Sequence, residues 1–259
     1  MSQSDSTGNL ENLNYKEKQT VLLNITGGSK AKCWENMYAK DKYARDRVMK
    51  AARLLLPYID FNGGSTVLDV GCFTQEARKY LPSGTKYIGV DSTQYHKDTI
   101  VRDLNSVFDA LPCTAALCLE TLEHLLHPAK VLQMFHASLP EKGVLVVSLP
   151  NEATLFHRIR CLLGTVDGEA FSDEGKHLHL PSLRQAQAFL STQFEIVKQY
   201  SYISPSACGS RQEWVGRILA LIPDRFLQWF ANSWPSLFAR GWIFLLKKRD
   251  KSVTVAQTS

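Results

Sequence analysis

The sequence has no Cys-x-x-Cys pair, no apolar run near the roughly 20 residues that span a bilayer, no cluster of lysine and arginine, and no internal repeat. Each absence removes a class of protein. The six cysteines are scattered and the opening MSQSDSTGNLENLN is polar rather than signal-like, so reduced thiols in a cytoplasmic protein are expected. A net charge of +5 spread along the chain speaks against a nucleic-acid partner. What remains is a chain of 259 residues with 44% hydrophobic content, enough for one large core.

Residues 1–30 have little apolar periodicity and read as a flexible arm, and residues 250–259 as a disordered tail. The folded domain is expected over 31–249. From Cys33 to Leu56, Trp34, Met37, Val48, Ala51, Ala52 and Leu55 recur at helical spacing, which predicts one or two amphipathic helices ending before Pro57. Short β-type runs follow at Thr66–Val70, Lys86–Val90, Thr99–Arg102, Ala115–Leu119 and Val144–Leu149. Helical stretches fit between them at Glu76–Leu81 and Pro128–Leu139. Such alternation predicts a parallel sheet covered on both faces. Phe194–Ile203 and Gly241–Lys248 read as two more strands. The segment between them, 204–240, holds Trp214, Trp229 and Trp234.

Glycine is scarce where a ligand-binding turn would want it. In VLDVGCFTQE (67–76) the first strand runs into a turn with only Gly71. In an open α/β sheet that turn approaches the ligand most closely. Asp91 closes the second strand, about twenty residues on, where a carboxylate accepts from both hydroxyls of a ribose. Asp103 follows the third strand, suited to the amine of an adenine, and as an alternative forms a plain Asx turn.

These residues resemble the class I S-adenosylmethionine-dependent methyltransferases, in particular the branch that includes ubiquinone- and methionine-biosynthesis enzymes. Glu120 leading into Thr121-Leu122-Glu123-His124-Leu125, with His127-Pro128, is similar to that branch's fourth strand and Glu-His-Leu turn. Lys142–Asn151 is similar to its fifth strand and Pro-Asn exit. The resemblance implies an α/β, Rossmann-like fold with a seven-stranded, mostly parallel sheet, an antiparallel last strand and helices on both faces. It further implies S-adenosylmethionine as cofactor. Asp69 and Gly71 would lie near its methionine part, Asp91 and Ser92 at the ribose, Asp103 and Leu104 at the adenine, and Glu120 beside it. The family turn is Gly-x-Gly-x-Gly, whereas here Phe73 and Gln75 stand at the second and third glycines. A side chain resists positive φ, so two readings follow: a wider loop with Phe73 covering the cofactor, or a partly filled pocket in an inactive relative. The first is preferred, because three aspartates would be surplus in a dead pocket.

The acceptor is expected to be a small molecule or glycan, methylated at oxygen. Competing classes are a catalytically inactive binding protein of this fold and a nicotinamide-dependent oxidoreductase. His124, His157 and His177 are the candidates for a general base. His177 and His179 alternate as extended residues do, but no cysteine or carboxylate cluster completes a metal site with them, so no metal is expected. In 204–240, Phe226, Leu227, Trp229 and Phe230 recur at helical spacing, as do Trp214, Ile218, Leu221 and Ile222. Two short helices meeting at Pro223-Asp224 are predicted. They would form a lid over the methyl-donor pocket or, through 214–242, a peripheral membrane contact.

Overall fold

The protein is described by a computed structural model over residues 42–106, 109–164, 177–203 and 222–249. The expected arm and tail, the start of the first helix, and the helix around Trp214 lie outside the described residues.

Seven strands form one sheet: β1 (Thr66–Val70), β2 (Lys86–Asp91), β3 (Ile100–Val101), β4 (Ala115–Leu119), β5 (Val144–Pro150), β6 (Phe194–Tyr202) and β7 (Gly241–Lys248). Their order is β3-β2-β1-β4-β5-β7-β6. Only β7 runs against its neighbours. This is the expected Rossmann-like sheet, and the strand ends fall within a residue of those expected.

The reason lies in the runs themselves. A strand buried on both faces must be apolar throughout, and all of β5, VLVVSLP, is buried. Alternate residues then serve different layers. Leu68, Ala116, Leu145, Val147, Trp242 and Phe244 point into one core. Val67, Leu117, Val144, Val146, Ile243 and Leu245 point into the other. Helix α1 (Lys42–Leu55) covers the second core with Val48, Ala51 and Leu55, in the heptad-like spacing its sequence announced. Helix α2 (Pro128–Ser138) covers the first with Val131, Leu132 and Phe135.

Helix α3 (Leu155–Leu162) was not anticipated, and α4 (Leu183–Leu190) follows the extended stretch of His177 and His179. Helix α4 does carry a start signal, the Ser182–Gln185 capping box, whose side chains satisfy each other's backbone N–H groups. Helix α5 (Asp224–Ser233) begins where Pro223-Asp224 predicted, and α6 (Pro235–Phe238) follows it. Both stand at the β5–β7–β6 end of the sheet. Asn151, buried just past β5, anchors them by donating to the carbonyl oxygens of Ala239 at 2.8 Å and Ser236 at 3.3 Å.

The link between β1 and β2 is short, a five-residue 3-10 turn at Glu76–Tyr80. It leaves the β1 turn to be held by side chains rather than by a long helix.

Candidate functional site: a turn with a single glycine, and an acid–histidine cluster

Gly71, Phe73 and Gln75 have φ of 76°, 46° and 58°. A Gly-x-Phe-x-Gln sequence thus adopts left-handed backbone at all three positions, which corrects the expectation that these side chains would resist positive φ. The left-handed conformation costs an L-residue about 1–2 kcal/mol, so something must hold it. The N–H of Phe73 donates to Asp91 Oδ2 at 2.8 Å, and its ring lies on Tyr95 with centroids 4.4 Å apart. Gln75 is buried, and its Nε2 donates to Thr99 Oγ1 at 3.2 Å. The N–H groups of Gly71 and Cys72 both donate to Val90 O, which sews the turn to the end of β2. Gly89 makes room for this packing: a Cβ there would lie 2.8 Å from Gln75 Nε2 and 2.9 Å from Cys72 Sγ. The missing glycine signal was in β2.

Asp91 is buried at the end of β2. Burial pushes its carboxyl up, while the N–H groups of Phe73, Thr93 and Ser92 pull it down. Its oxygens accept from Phe73 and Thr93, and from the Ser92 hydroxyl at 3.4 Å. A carboxylate has about four acceptor positions, so little capacity remains, and a ribose hydroxyl would take the place of the long 3.4 Å contact from Ser92. Ser92 and Asp103 are exposed, and Asp103 Oδ1 accepts the Asn105 N–H at 2.9 Å, an Asx turn. Leu104 is buried in the first core.

Glu120, at φ 49°, is bound into the fold. One oxygen pairs with Arg47 of α1 at 3.1 Å, and the other accepts from Tyr202 at 3.0 Å and Ser148 at 3.2 Å. These contacts tie α1, β5 and β6 to the β4 turn. The adjoining Thr121 presses on the β1 turn, since a Cβ on Gly71 would fall 2.0 Å from Thr121 Oγ1.

Asp69 lies fully buried in β1 and accepts the Tyr87 hydroxyl. Burial pushes its carboxyl up to about 7, against the Tyr87 hydrogen bond and helped by Asp91. The folded protein therefore holds this proton more tightly than the unfolded chain, whose aspartates titrate near 4. Between pH about 4 and about 7 unfolding releases the proton, so this group makes stability fall as pH rises through that window. Asp69→Asn should match the parent near pH 3, below both values, and be more stable near pH 8, by up to a few kcal/mol. Urea unfolding at the two pH values checks this, because the difference between the two proteins isolates Asp69 from other buried acids.

The structure separates the candidate bases. His124 and His177 meet edge to face with centroids 4.7 Å apart, whereas His157 stands in α3 outside that pair. His179 is turned away, its Nε2 bonded to Leu125 O at 2.8 Å, so His177 and His179 do not act together. Glu123, in the 3-10 turn Leu122–His124, joins His124 and His177. Burial, and the nearby Glu120, push its carboxyl up to about 9. Residue spacing did not reveal this cluster, because Glu123 and His177 come from separate segments.

Next to it is a cavity of about 350 Å³, lined by Leu122, Glu123, Leu149, Leu178, Leu180 and Phe189 among others. It lies by α2, α4 and the β4 turn, and none of its lining residues belongs to the Gly71–Gln75 turn.

A seven-stranded sheet with an inverted last strand, whose β1 turn is buckled to an acid at the end of β2, defines a class of nucleoside-cofactor enzymes. Residues 40–199 match the family described as a methyltransferase domain, and the chain belongs to that family. It is an S-adenosylmethionine-dependent methyltransferase. Among solved structures it is similar to magnesium protoporphyrin IX methyltransferase from Synechocystis with bound S-adenosylhomocysteine (11% identity, 89% of this chain and 100% of that one, TM-score 0.55). It is also similar to S-adenosylmethionine-dependent methyltransferases from Clostridium acetobutylicum (12%, 85% and 99%, TM-score 0.53) and Archaeoglobus fulgidus (17%, 83% and 99%, TM-score 0.51). These likenesses concern the fold. No curated protein matches the sequence. Among the described residues no helix is long and apolar enough to cross a membrane.

Proposed function

We propose that this methyltransferase acts at oxygen on a small, largely apolar acceptor or the apolar part of a glycan-linked one, as in the ubiquinone- and methionine-biosynthesis branch. The branch reading is supported by its Glu-His-Leu turn at 123–125 following β4 and its Pro-Asn exit from β5. The observation that carries the acceptor reading is the cavity of about 350 Å³, lined mostly by apolar side chains with Glu123, His179 and Gln185 as its polar members. Cavities of that size take small ligands, with a few polar groups fixing orientation.

When bound, S-adenosylmethionine supplies a methyl group already activated by its sulfonium. The residues fit it by their chemistry: Asp91 for a ribose hydroxyl in place of its long Ser92 contact, Asp69 and the Gly71 turn for the methionine part, Phe73 as a wall. Ser92 and Asp103 remain accessible for the ribose and the adenine, and Leu104 supports them from the core. Glu120 acts indirectly in this reading, by holding α1 against the β4 turn. A hydroxyl acceptor must lose a proton; His124, next in the chain to the cavity residue Glu123 and edge to face with His177, is the base assigned to it in this reading. The domain extends over 31–249, and the fold keeps the acceptor close while excluding water.

Helix α5 buries Leu227 and Ala231 but leaves Trp229 54% exposed, and the following Trp234 is 47% exposed. Trp229, Phe230, Trp234 and Phe238 form one aromatic patch, suited to an apolar acceptor or the membrane that carries it.

The test is transfer of labelled methyl from S-adenosylmethionine to phenolic, lipid-linked and glycan acceptors, with the product analysed for an O-methyl group. Leu178→Trp should raise the acceptor KM about tenfold by filling the cavity, while the dissociation constant for S-adenosylmethionine stays within a few-fold. An unchanged KM would place the acceptor elsewhere. Trp229→Ala with Trp234→Ala should raise KM only for vesicle-borne acceptors; equal effects on soluble ones would favour a lid.

A further inference from the structure

Two carboxyls flank the imidazoles of His124 and His177, and their surroundings push them in opposite directions. Glu123 is 1% exposed, and burial together with the nearby Glu120 pushes its carboxyl up to about 9, so near neutral pH it is a neutral acid. Glu152 is half-buried. The hydrogen bond from His177 holds its carboxyl below the usual range against the cost of burial, helped by the charges of Arg240, His177 and His157. Glu120, the third acid of the region, is engaged by Arg47 at 3.1 Å. The negative charge that faces the histidines is therefore that of Glu152, and acids driven apart in this way take different roles in a site.

The contact is fixed from both sides. The Asn151 N–H donates to Arg240 O at 2.8 Å, and Asn151 Oδ1 accepts the Ala153 N–H at 3.1 Å, which holds the chain on either side of Glu152 at the exit of β5. His177 is held from the other direction, because the N–H groups of Leu178 and His179 both donate to the Glu123 carbonyl, at 2.7 and 3.0 Å. Between these anchored segments His177 Nδ1 lies 3.2 Å from Glu152 Oε1. A proton on Nδ1 points at the carboxylate, which fixes the tautomer and leaves Nε2 as the basic nitrogen. The same ring meets His124 edge to face, with centroids 4.7 Å apart.

We propose that Glu152 is the positioning residue of this imidazole pair: through His177 it sets the tautomer beside His124, and its charge balances the proton that the pair takes from the acceptor. Methyl transfer to a hydroxyl forms the oxygen–methyl bond, breaks the sulfonium–methyl bond and releases the hydroxyl proton, so one positive charge passes from sulfur to imidazole. Arg240, just before β7, and His157 of α3 oppose that charge, and Glu123, held neutral, does not offset it. An anion in hydrogen-bond contact does. The side chains of His177 and Glu152 are 28% and 29% exposed, so the proton leaves to water from their side of the pair. Service as a base rests on the acceptor reading above; the tautomer and the charge coupling do not.

The experiment is a pH titration of the full chain labelled with ¹⁵N-histidine, read by two-bond imidazole correlation spectra. Above its titration midpoint, His177 is expected as the Nδ1–H tautomer. Glu152→Gln keeps an oxygen to accept that proton and loses only the charge. The His177 midpoint should then fall by about half a pH unit or more, with a smaller fall at His124, while His96, beside Asp98, is unmoved. With phenol as methyl acceptor, the acid limb of the kcat profile should move to lower pH along with that midpoint. Transfer to 4-nitrophenol above neutral pH, where its proton has already left, should change little. A contact that only pinned this segment to the β5 exit would leave the midpoints and the limb in place. The Nε2–H tautomer in the parent, or a His177 midpoint unchanged in Glu152→Gln, overturns the proposal; the tautomer is read on the parent, so it decides even if the variant fails to fold. A parent that methylates neither phenol sinks the acceptor reading alone, because the titration needs no acceptor.

Discussion

Alanine at position 91 is expected to weaken S-adenosylmethionine binding at least tenfold, the largest loss from any single change in the assigned cofactor site. Two effects combine. The carboxylate would make charge-assisted hydrogen bonds to the ribose hydroxyls, worth about 1.5–3 kcal/mol each. It also accepts the Phe73 N–H at 2.8 Å and the Thr93 N–H at 3.2 Å, so its removal frees a turn residue held at φ 46°. Asp91→Asn separates the two, since its amide oxygen still accepts a backbone N–H while the charge is gone; it should fall between the parent and alanine. Calorimetric titration with S-adenosylmethionine checks the series, beside a melting curve. A folded Asp91→Ala protein that binds as the parent does would remove the assignment.

Gly71→Ala is expected to be the most damaging substitution for the fold around the site. At φ 76° an added Cβ meets strain of about 1–2 kcal/mol. It would also fall 2.0 Å from Thr121 Oγ1 and 2.6 Å from Thr121 Cγ2. The β1 and β4 turns would have to separate, and the hydrogen bonds of Gly71 and Cys72 to Val90 O would shift with them. A loss of about 2–4 kcal/mol is expected, measured by urea unfolding, together with weakened cofactor binding. Thr121→Ala removes two of the three clashing atoms, so the double variant should recover part of the loss. Additive losses would show that the turn is limited by its own backbone and not by the contact with β4. Phe73 and Gln75 behave differently, because their positive φ is already offset by the Asp91, Tyr95 and Thr99 contacts.

The central strands β4 and β5 were legible because each is a nearly continuous apolar run, and a run buried on both faces has little alternative to a central strand. The inverted β7 was read from the family resemblance, not from its residues. Ser182 and Gln185 spell out the start of helix α4. Its apolar side chains, Leu183, Ala186 and Leu190, look unremarkable until α4 is laid on the sheet. The acid at the end of β2 was legible too, since strand ends converge on the ligand in any sheet of this kind.

By itself the sequence determined the order of the strands along the chain, the two-faced core, and the positions of Asp69, Gly71 and Asp91 at or beside the strand ends, because these depend on local apolar period and on spacing along neighbouring strands. Tertiary structure alone decided three things. It showed that Phe73 and Gln75 adopt the glycine-like backbone, which depends on Asp91, Thr99 and the space above Gly89. It turned Glu120 toward Arg47, Ser148 and Tyr202, three residues from three different elements. And it brought His177 to Glu123 and His124 while sending His179 to Leu125 O, because two backbone hydrogen bonds to the Glu123 carbonyl set the register of that segment. Spacing along a chain carries no record of such long-range hydrogen bonds.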